Sequence, residues 1–259
     1  MPAGRGRGMA KAKLLGFSLI ALAVMPVAAL AQPQPPQQPA APLVAAALSA
    51  DAAFARNIAL IRADLLMADA LVKERDWVDA RPHADFPREE IYGVIRDELR
   101  SYKTPPFDGA LRELAHAVAA RSIKLYDRAW KKVQASLVAA DFALRARQKD
   151  WPRFTLQVAA ATLRDAADEY DDAVANGRIV HPVGYQTARG IVFESDRMVE
   201  SVASAVGSEH ADALRTLRGN LIHLKDAFAP LAAPKEPRAD VDTVRTLIAR
   251  TGALMRAIK

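Results

Sequence analysis

From Ala50 onward the chain repeats apolar side chains at intervals of three and four. Phe54, Ile58, Ile61, Leu65, Ala68 and Val72 make one helical face. Tyr126, Trp130, Val133, Leu137, Ala140 and Leu144 follow a 4-3-4-3-4 spacing, a seam suited to left-handed bundle packing. Leu156, Ala160, Leu163, Ala167, Tyr170 and Val174 repeat it. Tyr185, Ala188, Val192, Ser195, Val199, Val202 and Val206 line a returning helix, and Leu214, Leu217, Leu221, Leu224 and Phe228 the next. A last helix is expected over 240–258.

Breakers and caps divide these faces. Pro82 and Pro87 in ARPHADFPR are expected to end the first helix, which would leave His83 in a loop. Tyr92, Ile95, Leu99 and Tyr102 mark a short second helix. Thr104 before Pro105 reads as an N-cap for a third, with Leu111, Leu114 and Val118 inward. Asp150 and Pro152 open another helix, Asn176-Gly177 is a tight turn, and the chain resumes after Pro182. Ser208 is expected to cap the helix that follows. No stretch alternates with period two. The class is therefore all-α, an up-and-down bundle of about seven helices.

The N-terminus belongs to another regime. Arg5, Arg7, Lys11 and Lys13 precede an apolar run from Leu14 to Leu30, and Ala29-Leu30-Ala31 suits a signal peptidase. Residues 1–31 are expected to be a signal peptide, with Met9 an alternative start, and the protein periplasmic or secreted. An uncleaved segment would be the only tie to the membrane, since without cysteine there is no lipoprotein anchor. Residues 32–49 read as a Pro/Gln-rich tether, 50–230 as the bundle, and 231–259 as a linker and C-terminal helix. The leader's four basic residues account for four of the six net positive charges, so the high pI does not argue for nucleic-acid binding. Zero cysteines also exclude disulfides, thiolate metal sites and a c-type haem motif.

Several polar residues are oddly placed. Asp64, with Asn57, projects inside the apolar arc of the first helix, where a carboxylate is expensive unless paired or bound to metal. His83, Asp85, Glu89 and Glu90 cluster nearby, a plausible set for a borderline divalent ion, although Asp85, Glu89 and Glu90 would equally suit a helix N-terminus. Asp64, His83, Glu89 and Glu90 are the candidate metal ligands. A second, weaker candidate is the acidic stripe Asp165, Asp168, Glu169 and Asp172, which lies opposite the Leu163/Tyr170/Val174 seam and reads first as a solvated outer face. Asp171 and Asp172 also sit at the helix end where the dipole prefers cations, with Arg178 as the available offset. Glu113 and His116 have the Glu-x-x-His spacing of di-iron bundles, but only one copy exists and it faces outward. No catalytic ordering or phosphate loop is present, so no enzyme activity is expected.

The hairpin DEYDDAVANGRIVHPVGYQTARGIVFESDRMVE resembles one in helical extracytoplasmic domains linked to bacterial high-affinity iron permeases. Tyr170, Ala173-Val174, Gly177, Arg178-Ile179 and Tyr185 carry the likeness, while Gly184 stands where a glutamate is usual. Leu65-Leu66…Leu71-Val72 and Pro82-His83…Glu89-Glu90-Ile91-Tyr92 also resemble segments of a group of exported bacterial helical proteins. There Phe86 replaces a second histidine, and Asp64 stands where a histidine is common. The resemblance implies an accessory protein that binds or relays iron or copper beside a membrane transporter. The alternative is an adaptor bundle that docks another periplasmic protein without metal, through the acidic stripe or through the Arg189/Phe193/Asp196/Glu200 face.

Overall fold

The computed structural model describes residues 48–258, so the expected leader and nearly all of the tether lie outside the described residues. The described residues form one compact unit. Its helices are α1 (Ala50–Lys73), α2 (Trp77–Phe86), a π-helical turn (Pro87–Tyr92), α3 (Gly93–Ile95), α4 (Asp108–Ala119), α5 (Ile123–Arg145), α6 (Trp151–Ala173), α7 (Pro182–Val202), α8 (Ala211–Ala227) and α9 (Val241–Ala257). The all-α reading holds. Among the described residues the only strands are the two-residue pair Val174–Ala175 and Arg178–Ile179, which close the α6–α7 turn. Asn176 and Gly177 both take positive φ there, as a two-residue hairpin turn requires. No helix among the described residues is long and apolar enough to cross a membrane.

Two apolar cores share the unit. The first joins α1 to α5 and the start of α6; Val133, Leu137, Ala140 and Leu144 are buried in it as the seam predicts. Each such Leu or Val contributes about 1.5–3 kcal/mol by leaving water. The second core joins α6, α7, α8 and α9, with Tyr170, Tyr185 and Phe228 packed ring against ring. Val244, Ile248, Met255 and Ile258 are buried in it, so the last helix is docked on the bundle.

The two cores meet where α1 crosses α7. A Cβ on Gly190 would collide with the backbone carbonyl of Ala63, so only glycine lets these helices approach so closely. Asp64 follows Ala63 directly, and this crossing sets it against α7.

The linker from α8 to α9 lacks regular structure and is held by donors from elsewhere. Arg189 Nε donates to Phe228 O, Tyr185 Oη to Pro230 O, Gln186 Nε2 to Leu231 O and Tyr170 Oη to Ala239 O. The Ile179 amide donates to Lys235 O. Burial pushes the Tyr170 and Tyr185 hydroxyls up to about 12, so both remain donors at neutral pH.

Three local expectations are corrected. Pro82 and Pro87 do not make a loop: α2 runs through Pro82, and the ladder changes to π register at Pro87, where the missing N–H would otherwise interrupt it. Thr104 is buried and donates to Tyr102 O, and α4 begins only at Asp108 after Phe107. Ser208 opens a short 3-10 turn, and His210 precedes α8. Asp150 and Asp240 do cap α6 and α9 through their side chains.

Candidate functional site

His83 is a fully buried helical residue. Arg75, in the left-handed region, and the N-cap Asp76 reverse the chain after α1, which lays α2 back along it. His83 thereby faces Asp64: Nδ1 lies 3.1 Å from Asp64 Oδ1, and Nε2 lies 3.2 Å from Gln186 Oε1. Gln186 Nε2 donates to Asp79 Oδ2 and Leu231 O, which fixes its oxygen toward the histidine. Both ring nitrogens thus lie within hydrogen-bond distance of side-chain oxygens. Thr187 Oγ1 adds a longer contact to Asp64 at 3.4 Å. The expense of burying Asp64 is met by a histidine from the neighbouring helix.

Asp64 also borders a cavity of about 500 Å³ between α1, the π turn, α6 and α7. Glu90 reaches it from the π turn, and Asp165, Asp168 and Glu169 from α6. The stripe is therefore not a uniformly solvated outer face. Asp165 and Glu169 are half-buried and turned toward α1 and α7, whereas Asp168 and Asp172 are exposed and Asp172 lies off the cavity. Arg56 makes a two-pronged pair with Asp165, at 2.8 and 2.5 Å. At the helix end, the offset for Asp171 comes from Arg245 of α9 at 3.0 Å.

The proposed ligand set does not stay together. Asp64 and His83 touch, Glu90 shares the cavity of Asp64, and Glu89 points into a different depression with Asp85, Arg112 and His116. Among the described residues no three His, Asp or Glu groups converge closely enough to cage a metal ion. The Arg189/Phe193/Asp196/Glu200 face is likewise reassigned, because α8 covers much of it. Arg189 lies over the Phe193 ring and donates to Phe228 O, Asp196 pairs with Lys225, and Glu200 with Arg218. Burial lowers the Arg189 pKa.

The cavity's electrostatics follow from crowding. Desolvation, then the charges of Asp64, Asp172, Asp165 and Asp168, raises the pKa of Glu169 above 4.5. Desolvation raises that of Asp165 despite Arg56. A carboxyl whose folded pKa exceeds its unfolded one favours folding below the unfolded value and loses that contribution as pH rises through the folded value. Glu169→Gln is therefore expected to be more stable than the wild type at about pH 7, with the advantage gone below about pH 4. Urea midpoints at the two pH values check this; an advantage that persists in acid would contradict it.

With this geometry in place, the comparison with known proteins is specific. Residues 145–258 match the iron permease-associated 4-helix bundle domain. That span holds α6, α7, α8 and α9, the helices of the second core, and the hairpin whose likeness to iron permease-linked domains the sequence showed. The matched bundle supplies the α6 carboxylates, Thr187 and Gly184 to the cavity; Asp64 and Glu90 come from helices that precede it. No curated protein and no solved structure matches the chain. Gly184 lines the cavity, and a Cβ there would lie 3.7 Å from Glu169 Oε2, so a glutamate at this place would add its carboxylate to the group.

Sequence reasoning missed the union of its two acidic candidates, which lie about a hundred residues apart. The available signal was Asp64 inside the apolar arc of its own helix; the stripe, opposite its seam, offered none.

Proposed function

We propose that this protein is an exported accessory to an iron transporter and that the cavity between α1, the π turn, α6 and α7 captures iron as a hydrated cation. One observation carries the reading: carboxylates from three separate elements open onto a single cavity beside Gly184, in contact with a bundle that matches an iron permease-associated domain. Five carboxylates against one arginine give the cavity a negative field that draws cations in.

The donor chemistry favours iron over copper. Oxygen ligands suit hard cations, while copper seeks imidazole; among the described residues no histidine lines the cavity, and His83, which touches Asp64, has both nitrogens engaged. The width of the cavity, and the absence of three converging ligands among the described residues, fit an ion that keeps much of its water shell. Asp64, Glu90, Asp168 and Glu169 would accept hydrogen bonds from that water, and Arg56 would hold Asp165 at the edge. Loose capture of this kind suits delivery more than storage.

Titration of residues 46–259 with ferrous ion under anaerobic conditions tests this. Binding is expected, weakened about tenfold or more by Glu169→Gln or Asp64→Asn, as for loss of a charged hydrogen-bond acceptor. Glu89→Gln is expected to leave it unchanged, and Gly184→Glu to strengthen it. Hexaamminecobalt(III), whose shell does not exchange, should compete for the same cavity. A wild type that takes up no ferrous ion would defeat the proposal, as would equal weakening by Glu89→Gln.

A further inference from the structure

α5 carries a second stripe on the side away from its core seam. Lys124, Arg128, Lys131, Ala135, Val138, Phe142 and Arg145 follow a 4-3-4-3-4-3 spacing, and all of them are exposed. At 3.6 residues per turn they fall within an arc of about 100°. Val138 is 63 % exposed and Phe142 78 %, the latter on the outer surface of a helix whose other face is fully buried.

The charges on this stripe are not used internally. Lys132, one residue round the helix, pairs with Glu113, and Arg62 claims Asp141 from the flank. Lys124, Arg128, Lys131 and Arg145 make no ion pair among the described residues, and Arg145 only overlies the Trp151 ring at 5.9 Å. The single acid bordering the stripe is Asp127. Lys124 stands in a first turn that holds no acidic residue, where the helix dipole disfavours cations. Beside Phe142, a mostly apolar groove of about 690 Å³ separates α5 from Tyr102 and Lys103. A folding role explains neither the unpaired cations nor the exposed phenylalanine.

We propose that this stripe docks the protein on an anionic lipid surface, with Phe142 and Val138 entering the headgroup layer and the four cations meeting lipid phosphates. Unpaired cations are attracted to anionic lipid, and exposed apolar side chains beside them add binding by burial in the interface. A protein helix would be a poorer occupant, because only three of the seven positions are apolar, too few for a continuous helix–helix seam. The stripe shares no residue with the acidic cavity, so docking would leave the cavity's own lining uncovered.

The test uses residues 46–259, which retain both cores and omit the apolar leader, itself able to bind lipid. Cosedimentation with vesicles of phosphatidylglycerol and phosphatidylcholine in equal parts should pellet the protein, and vesicles of phosphatidylcholine alone should not. Each cation neutralised should weaken partitioning roughly fivefold, so Lys124→Gln with Lys131→Gln gives a loss of about twenty-five-fold, and Phe142→Ser adds to it. Because the chain has no cysteine, Ala135→Cys takes a single environment-sensitive dye. Its emission should shift to the blue with anionic vesicles, while a dye at Arg215→Cys on α8 should not respond. Three results would overturn the proposal: no pelleting with anionic vesicles, equal pelleting by the stripe variants, or a blue shift at position 135 in buffer accompanied by dimerisation, which would assign the face to a second copy.

Discussion

Gly190→Ala is expected to destabilise the protein by about 1–3 kcal/mol, the usual cost of overpacking, even though alanine is the better helix former. The added methyl meets the Ala63 carbonyl, which is backbone in the middle of α1 and cannot rotate aside as a flexible side chain would. The helices must separate, and the contacts that place Asp64 beside Thr187 must lengthen. Gly219→Ala is the internal control. It is also an interior helical glycine, but nothing lies within 4 Å of its would-be Cβ, so it should gain about 0.5–1 kcal/mol. Urea denaturation of the two variants separates crossing from propensity. A Gly190→Ala midpoint at or above the wild type would show that the crossing has slack.

The second large effect is expected at the buried pair. His83→Leu removes both hydrogen bonds of the ring and leaves the Asp64 carboxylate, 4 % exposed, without its main partner. Stranding a buried carboxylate by removing its partner costs about 3–5 kcal/mol, whereas replacing both members by apolar groups is often far cheaper. Asp64→Leu combined with His83→Leu should accordingly be more stable than His83→Leu alone. The Gln186 oxygen stays unpaired in both, so the comparison isolates the carboxylate. If the double variant is the less stable of the two, the histidine is not what makes Asp64 tolerable.

The seams were legible because they are long and regular. Tyr126 to Leu144 and Leu156 to Tyr170 each repeat over more than three turns, and a face of that length leaves little choice of side. Asp150, Asn176-Gly177 and Pro182 marked ends correctly, since each has a backbone reason to be there. Asp64 was legible as an anomaly, but its partner was not: periodicity on one helix cannot say which neighbour lies across it. Pro87 misled because the ladder changes to π register where its N–H is missing, and Pro82 misled because α2 runs through it in spite of the missing N–H. The acidic stripe misled for another reason. α6 packs against α7, α9 and α1 through alanines such as Ala159, Ala161 and Ala166, whose small side chains widen the buried arc without looking strongly apolar. Asp165 and Glu169 stand at the margin of that wider arc.

The α8–α9 linker, held by donors from Tyr170, Ile179, Tyr185, Gln186 and Arg189, has a consequence for its length. Surface connections usually accept insertions, because solvent satisfies whatever backbone is added. Here the carbonyls of Phe228, Pro230, Leu231, Lys235 and Ala239 are matched to side chains and a backbone amide on rigid elements. One extra residue between Leu231 and Ala239 would put some of those carbonyls out of register with their donors. The linker is thus a segment of fixed span, and the Gln186 that helps to clamp it is the same one that orients His83.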